Sequence, residues 1–137
     1  MRALALALLL AGCVPADGPL MRPGEDCLAC HSPAAPPGQH ARDWSLAGTV
    51  YAAPEVDATA GVEGAQLQVD DAGGRSFSLR TNQAGNFYSA ESVTFPLRVC
   101  VSRGGGTSCM VAPVENGACN ACHQPASIGG AGRIAAP

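Results

Sequence analysis

From residue 45 to residue 112 the chain runs in short stretches where apolar and polar positions alternate, broken by turn residues. Leu46, Gly48 and Val50 alternate with Ser45, Ala47, Thr49 and Tyr51 over residues 45–52. Ala65, Leu67 and Val69 alternate with Gln66, Gln68 and Asp70, and Phe77 and Leu79 stand out among polar neighbours over residues 76–81. A period of two is that of strands with one buried face. Asp71-Ala72-Gly73-Gly74 and Asn82-Gln83-Ala84-Gly85 supply turns between these runs, and a short strand is expected at Asn86–Ser89. A further strand is expected over residues 94–102, where Pro96 points to an edge or a strand start. Five or six short strands with regular turns predict an antiparallel sandwich.

The N-terminus has a different pattern. Arg2 precedes an unbroken apolar run from Ala3 to Ala11, too short for the ~20 residues that a membrane span needs. It reads as an export signal. The run ends in Leu10-Ala11-Gly12-Cys13, which resembles the lipobox of bacterial lipoproteins. That resemblance implies cleavage before Cys13 and lipidation of its thiol. Val14, rather than Asp, follows the cysteine, and by the same resemblance this favours the outer membrane, facing periplasm or surface. Residues 14–26, rich in Pro, Gly and Ala, are expected to form a flexible tether.

Composition sharpens the picture at two points. Among 137 residues there are one Trp, two Tyr and three Phe, so the core is thin and calls for reinforcement by disulfides, metals or cofactors. A formal net charge of -3, with no lysine at all, supplies no basic patch for nucleic acid. No paired carboxylates, nucleophile motif or phosphate loop argues for an enzyme.

Seven cysteines carry the chemistry. Four of them form Cys27-Leu28-Ala29-Cys30-His31 and Cys119-Asn120-Ala121-Cys122-His123. Cys-x-x-Cys-His is the attachment motif for c-type haem. Two intervening residues put both thiols within one helical turn, in reach of the two vinyl groups of a porphyrin, and the adjacent histidine then turns its imidazole onto the iron. Cys27, Cys30, Cys119 and Cys122 are therefore the expected thioether donors to two covalently bound haems, and His31 and His123 the proximal iron ligands. Three plainer readings compete. One zinc could sit between the two Cys-x-x-Cys pairs, though about ninety residues part them, long against ribbon spacing. A thioredoxin-like pair needs a βαβ context that is not visible. Structural disulfides would leave the two histidines without a reason.

With the motifs in place, a family likeness emerges in the middle of the chain. Ala47-Gly48-Thr49-Val50, Gly64-Ala65-x-Leu67-x-Val69 and Thr81-Asn82-x-x-Gly85-Asn86-Phe87 resemble the carboxypeptidase regulatory-like family. The likeness covers about half the chain. It implies a transthyretin-like sandwich of about seven strands serving as a scaffold or binding module, and it assigns no functional residue.

Cys100 and Cys109 lie on either side of Arg103-Gly104-Gly105-Gly106. If those four residues form a hairpin loop, Ser102 faces Thr107 and Cys100 faces Cys109, close enough for a disulfide.

Each haem iron has a second axial position. Outside the motifs the mature chain offers one histidine, His40, and two methionines, Met21 and Met110. The expectation is Met110 on the haem of Cys119 and Cys122 and His40 on the haem of Cys27 and Cys30. Methionine raises a haem potential relative to bis-histidine, so electrons would run from the first haem to the second. Arg133, in the tail, is a candidate partner for a haem propionate.

The fold class expected is thus all-β: a small antiparallel sandwich over residues 45–112, flanked by irregular haem-binding segments at 27–44 and 113–137, with a signal at 1–12 and a tether at 13–26. The expected function is electron transfer between redox proteins in the cell envelope. The alternative is a haem-bearing sensor or ligand binder with an open iron site, or an oligomer in which a neighbouring subunit supplies a ligand.

Overall fold

The computed structural model describes residues 18–38 and 42–137. Cys13 and His40 lie outside the described residues. Among the described residues there are seven strands: β1 (Leu46–Tyr51), β2 (Gln66–Asp71), β3 (Ser76–Arg80), β4 (Asn86–Ser89), β5 (Leu97–Arg103), β6 (Gly106–Cys109) and β7 (Ile134–Ala135). They form two sheets, β4-β1-β7 and β3-β2-β5-β6. All pairs are antiparallel except β1 with β7. The helical content among the described residues is three single turns: Cys27–Ala29, α1 (Cys119–Cys122) and Ala126–Ile128. No helix among the described residues is long and apolar enough to cross a membrane.

One hydrophobic cluster joins the sheets. Leu46, Val50 and Phe87 come from the first, Leu67, Val69, Leu97 and Val101 from the second, and Val62 and Ala65 from the connection between them. The alternation of β2 is realised as expected, with Leu67 and Val69 buried and Gln66 exposed.

β1 departs from its pattern. All six of its residues are buried, not every second one. Leu46 and Val50 belong to the core, whereas the other face is covered by segments outside the alternating region. The Ala47 amide donates to the Gly117 carbonyl, the Thr49 amide to Asn120 Oδ1, and the Arg133 guanidinium lies over the Tyr51 ring. The polar side of a strand expected to face water is a packing surface for both ends of the chain.

The tail also differs from an irregular extension. Ile134 and Ala135 pair in parallel with Val50 and Tyr51, adding β7 to the edge of the first sheet. The β5–β6 hairpin has the expected register, Ser102 opposite Thr107 and Cys100 opposite Cys109. Its strands run one pair further than expected, so that Arg103 pairs with Gly106 and only Gly104 and Gly105 turn. Both have positive φ, 57° and 91°, as a tight two-residue hairpin turn requires. Pro96 lies just ahead of β5, which is an interior strand of its sheet between β2 and β6.

Candidate functional site

The two Cys-x-x-Cys-His segments adopt the same local turn. In the first, the His31 amide donates to the Cys27 carbonyl at 2.8 Å; in the second, the His123 amide donates to the Cys119 carbonyl at 2.9 Å. This contact, one helical turn long, brings the first cysteine and the histidine of each motif together. Asp26 starts the first turn, its Oδ1 accepting from the Leu28 amide at 3.1 Å. The second has no side-chain cap.

Both imidazoles are oriented by a backbone carbonyl from a segment that loops back. His31 Nδ1 lies 3.1 Å from the Arg42 carbonyl oxygen, and His123 Nδ1 lies 3.0 Å from that of Gly132. A carbonyl can only accept, so Nδ1 carries the hydrogen in each neutral ring and Nε2 carries the lone pair that would bind a metal. Gly132 is held by its own amide on the Gln124 carbonyl at 2.8 Å, and its φ of 84° suits glycine.

Beyond this shared geometry the sites part. At the second, Met110 Sδ lies 3.3 Å from His123 Nε2. Met110 directly follows β6, where Cys109 is bonded to Cys100, and its amide donates to the Val99 carbonyl at 3.0 Å. An apolar cavity of about 640 Å³ opens beside the pair; Leu67, Phe87, Val99, Val101, Val114 and Ile134 line it together with Cys119, Cys122, His123 and Met110. Arg133 borders the same cavity, its Nε donating to the Val56 carbonyl at 3.0 Å. At the first, the His31 ring stacks on Trp44 with centroids 3.7 Å apart, and Trp44 stacks on Tyr88 at 4.4 Å. The Trp44 amide closes the loop by donating to the His31 carbonyl at 2.8 Å.

A buried polar network joins the two segments through β1. Asn120, between the cysteines of the second motif, is 1% exposed. Its Oδ1 accepts from the Thr49 amide, and its Nδ2 donates to Thr49 Oγ1 and to the Glu25 carbonyl. Thr49 Oγ1 in turn accepts from the Gly24 amide and donates to Asn86 Oδ1. Every polar atom here has a partner, which the burial demands.

Cys119 sits over Gly48, where any Cβ would come within 2.9 Å of the Cys119 Cβ and 2.6 Å of Phe87 Cζ. Burial, reinforced by the Asp26 carboxylate, pushes the Cys27 thiol up to about 11. Burial and then the neighbouring Cys27 push the Cys119 thiol up to about 12. Cys27, Cys119 and Cys122 are free thiols, whereas Cys30 is disulfide-bonded in this structure.

The structure thus brings Met110 to His123, pairs Cys100 with Cys109, and gathers both motifs on β1. Sequence reasoning missed Asn120, Trp44, Tyr88 and the two carbonyls behind the imidazoles. Two signals were available: the chain's one tryptophan lies thirteen residues after His31, and Asn120 is the one polar residue between either pair of motif cysteines. Among the described residues no three His, Cys, Asp or Glu side chains gather as a metal cluster. The chain matches no family model, no curated protein and no solved structure.

Proposed function

We propose that this chain is a membrane-anchored dihaem c-type cytochrome that transfers electrons between redox proteins of the bacterial cell envelope. The observation that carries this reading is Met110 Sδ facing His123 Nε2 at 3.3 Å beside an apolar cavity bordered by Cys119 and Cys122. A haem iron takes histidine nitrogen on one face and methionine sulfur on the other. With bonds of the length zinc makes, ~2.0 Å to nitrogen and ~2.3 Å to sulfur, the two atoms need only move about 1 Å further apart. Methionine, unbranched and flexible, can supply that movement. The cavity volume, about 640 Å³, lies within the ~300–1,000 Å³ of cofactor pockets, and its lining suits a porphyrin face.

When bound, haem supplies one-electron chemistry; the protein supplies attachment, ligands and electrostatic setting. Cys119 and Cys122 would hold the haem through thioether bonds. His123 would hold the iron through Nε2, with the Gly132 carbonyl fixing its tautomer, and Met110 Sδ would be a second protein ligand. Arg133 borders the cavity as the candidate partner of a propionate. The first motif has the same turn and the same carbonyl-oriented imidazole, and we assign it the second covalent haem. Attachment there needs Cys30 as a thiol. His40 remains the candidate distal ligand.

For the scaffold we propose a transthyretin-like sandwich related to the carboxypeptidase regulatory-like domains. The residues of that likeness have a local role: Asn82 Oδ1 accepts from the Ala84 and Asn86 amides at 3.0 and 3.1 Å and shapes the turn into β4. Export by the leader and lipidation at Cys13 complete the proposal and place the protein at a membrane surface, with the outer membrane favoured.

The test is an absorption spectrum, oxidised and reduced, of protein made with c-type maturation machinery, together with a covalent haem count. Two haems per chain with low-spin bands in both states are expected. A chain without covalent haem under those conditions would overturn the reading and turn attention to a zinc assay.

A further inference from the structure

Met110 Sδ and His123 Nε2 meet at 3.3 Å with no hydrogen to share. In the neutral ring the hydrogen is on Nδ1, committed to the Gly132 carbonyl 3.0 Å away. A thioether sulfur carries none. Two lone-pair donors thus face one another, an arrangement that a cation between them turns from repulsive to attractive. Neither group is loose. The tail holds the ring, and the Met110 amide donates to the Val99 carbonyl next to the Cys100–Cys109 bridge. A third donor is at hand. Cys122, the residue before His123, is a free and exposed thiol that borders the same cavity as Met110 and His123.

Geometry and chemistry narrow the ion. With metal bonds of ~2.0 Å to nitrogen and ~2.3 Å to sulfur, two donors 3.3 Å apart subtend about 100° at a shared metal. That angle is close to tetrahedral, and the pair needs no movement to make it. Thioether and thiolate sulfur are soft donors that select copper(I). Charge points the same way. Copper(I) with one thiolate and two neutral donors is a neutral unit, which suits the apolar walls of Leu67, Phe87, Val99 and Ile134. A divalent ion on the same donors would leave a net positive charge against that lining.

We propose that the haem-free chain binds one copper(I) ion through Met110 Sδ, His123 Nε2 and the Cys122 thiolate. Cys122 releases its proton to solvent as the sulfur–copper bond forms, and no electron is transferred. Met110 is 38% exposed, so the ion can enter from solvent. Copper and a haem on Cys122 exclude each other, because both take the same sulfur. The site needs no haem and stands whether or not one is later attached.

The test is a competition titration of the full chain, made without c-type maturation machinery, against a chromophoric copper(I) chelator. Ascorbate keeps the copper reduced and spares the disulfide. One copper(I) per chain is expected. Met110→Leu, His123→Gln and Cys122→Ser should each weaken binding by about a hundredfold, at or above the ~10–100-fold that outer-shell partners cost. Met21→Leu, which removes a thioether elsewhere in the chain, should leave binding unchanged. Binding as tight in Met110→Leu as in wild type would overturn the proposal, since other donors would then hold the ion. So would no binding at all, or zinc displacing copper(I) at equal concentration. Copper K-edge absorption on wild type alone covers variants that fail to fold. A shell of nitrogen and sulfur together supports the site, and a shell of sulfur alone overturns it. The covalent haem count of the matured protein is a separate measurement, and neither result decides the other.

Discussion

The two Cys-x-x-Cys-His segments have the same spacing, the same turn and the same carbonyl behind the imidazole, yet they are built into the molecule by different means. The second is tied down from three directions. Its histidine is held by the tail, its sulfur partner by a disulfide-pinned hairpin, and its cysteine by the surface of β1. The first is supported from the side by a stack of two aromatic rings ending at Tyr88, which is 39% exposed. On the proposed reading a five-residue motif fixes the attachment chemistry but not the environment, and it is the environment that sets potential, access and partner. On that same reading the second site is the methionine-ligated, higher-potential end, with Met110 itself 38% exposed, and the first presents its ligand stack to the surface.

The largest expected difference is in thiol chemistry before any haem is attached. With thiols at about 11 and about 12, Cys27 and Cys119 have little thiolate at pH 8. Their alkylation by iodoacetamide should be slower than that of an ordinary thiol of pKa 9 by about a hundredfold and about a thousandfold respectively. The sign for stability follows. Both thiols are raised on folding, so their contribution to the haem-free fold is complete below pH 9, the unfolded value, and is lost as pH climbs toward 11 and then 12. Thermal melts across that window should fall steadily. Equal labelling of Cys27, Cys119 and the exposed Cys122 at pH 8 would remove the distinction between inner and outer cysteines.

Next in size is the axial ligand. Met110→Ala should lower the potential of one haem only, on the order of 100 mV out of the ~0.8 V that axial ligands command, and should turn that haem high-spin. A potentiometric titration that leaves both midpoints unchanged would erase the proposed asymmetry. The hairpin that presents Met110 is the third place to press. Cys100→Ser/Cys109→Ser opens a loop of sequence separation 9, worth about 2–3 kcal/mol on chain-entropy grounds. Denaturant melts should show that loss, and the second haem, not the first, should show a weakened sulfur ligand.

Much of this arrangement is legible in the sequence where the signal is local. The register that puts Cys100 against Cys109 follows from parity: a four-residue and a two-residue loop about Gly104 and Gly105 give the same pairing, so the extra Arg103–Gly106 pair changes nothing beyond it. The alternation of β2 and the turns at residues 71–74 and 82–85 depend on neighbours in the chain. What was not legible depends on distant partners. The second face of β1 is buried because Gly117, Asn120 and Arg133, sixty or more residues away, lie on it. β7 exists because that edge of β1 offers hydrogen bonds to an otherwise unremarkable Ile-Ala pair. The number of strands among the described residues, seven rather than five or six, and the meeting of the two motifs both turn on this one covered strand.

The smallest expected effect bears on the first site. Trp44 is held between two rings, 3.7 Å from His31 and 4.4 Å from Tyr88, with interplanar angles of 10° and 11°. Stacked pairs are worth about 0.5–1.5 kcal/mol each beyond the area they bury. Trp44→Leu keeps an apolar side chain but removes both pairs, so a stability loss of about 1–2 kcal/mol is expected. The spectroscopic consequence discriminates better than the melt. The Arg42 carbonyl still holds His31 Nδ1 in the variant, but the ring loses the face it stacks on, so the first haem's ligand orientation should broaden while the second haem keeps its spectrum. In low-temperature paramagnetic resonance of the oxidised protein, one low-spin signal should spread and the other stay sharp. If both signals moved together, the two sites would share one support, and the contrast between a site tied down from three directions and a side-supported one would not hold. If neither moved, the stack would not be needed to orient His31, and it would be packing for the edge of β4.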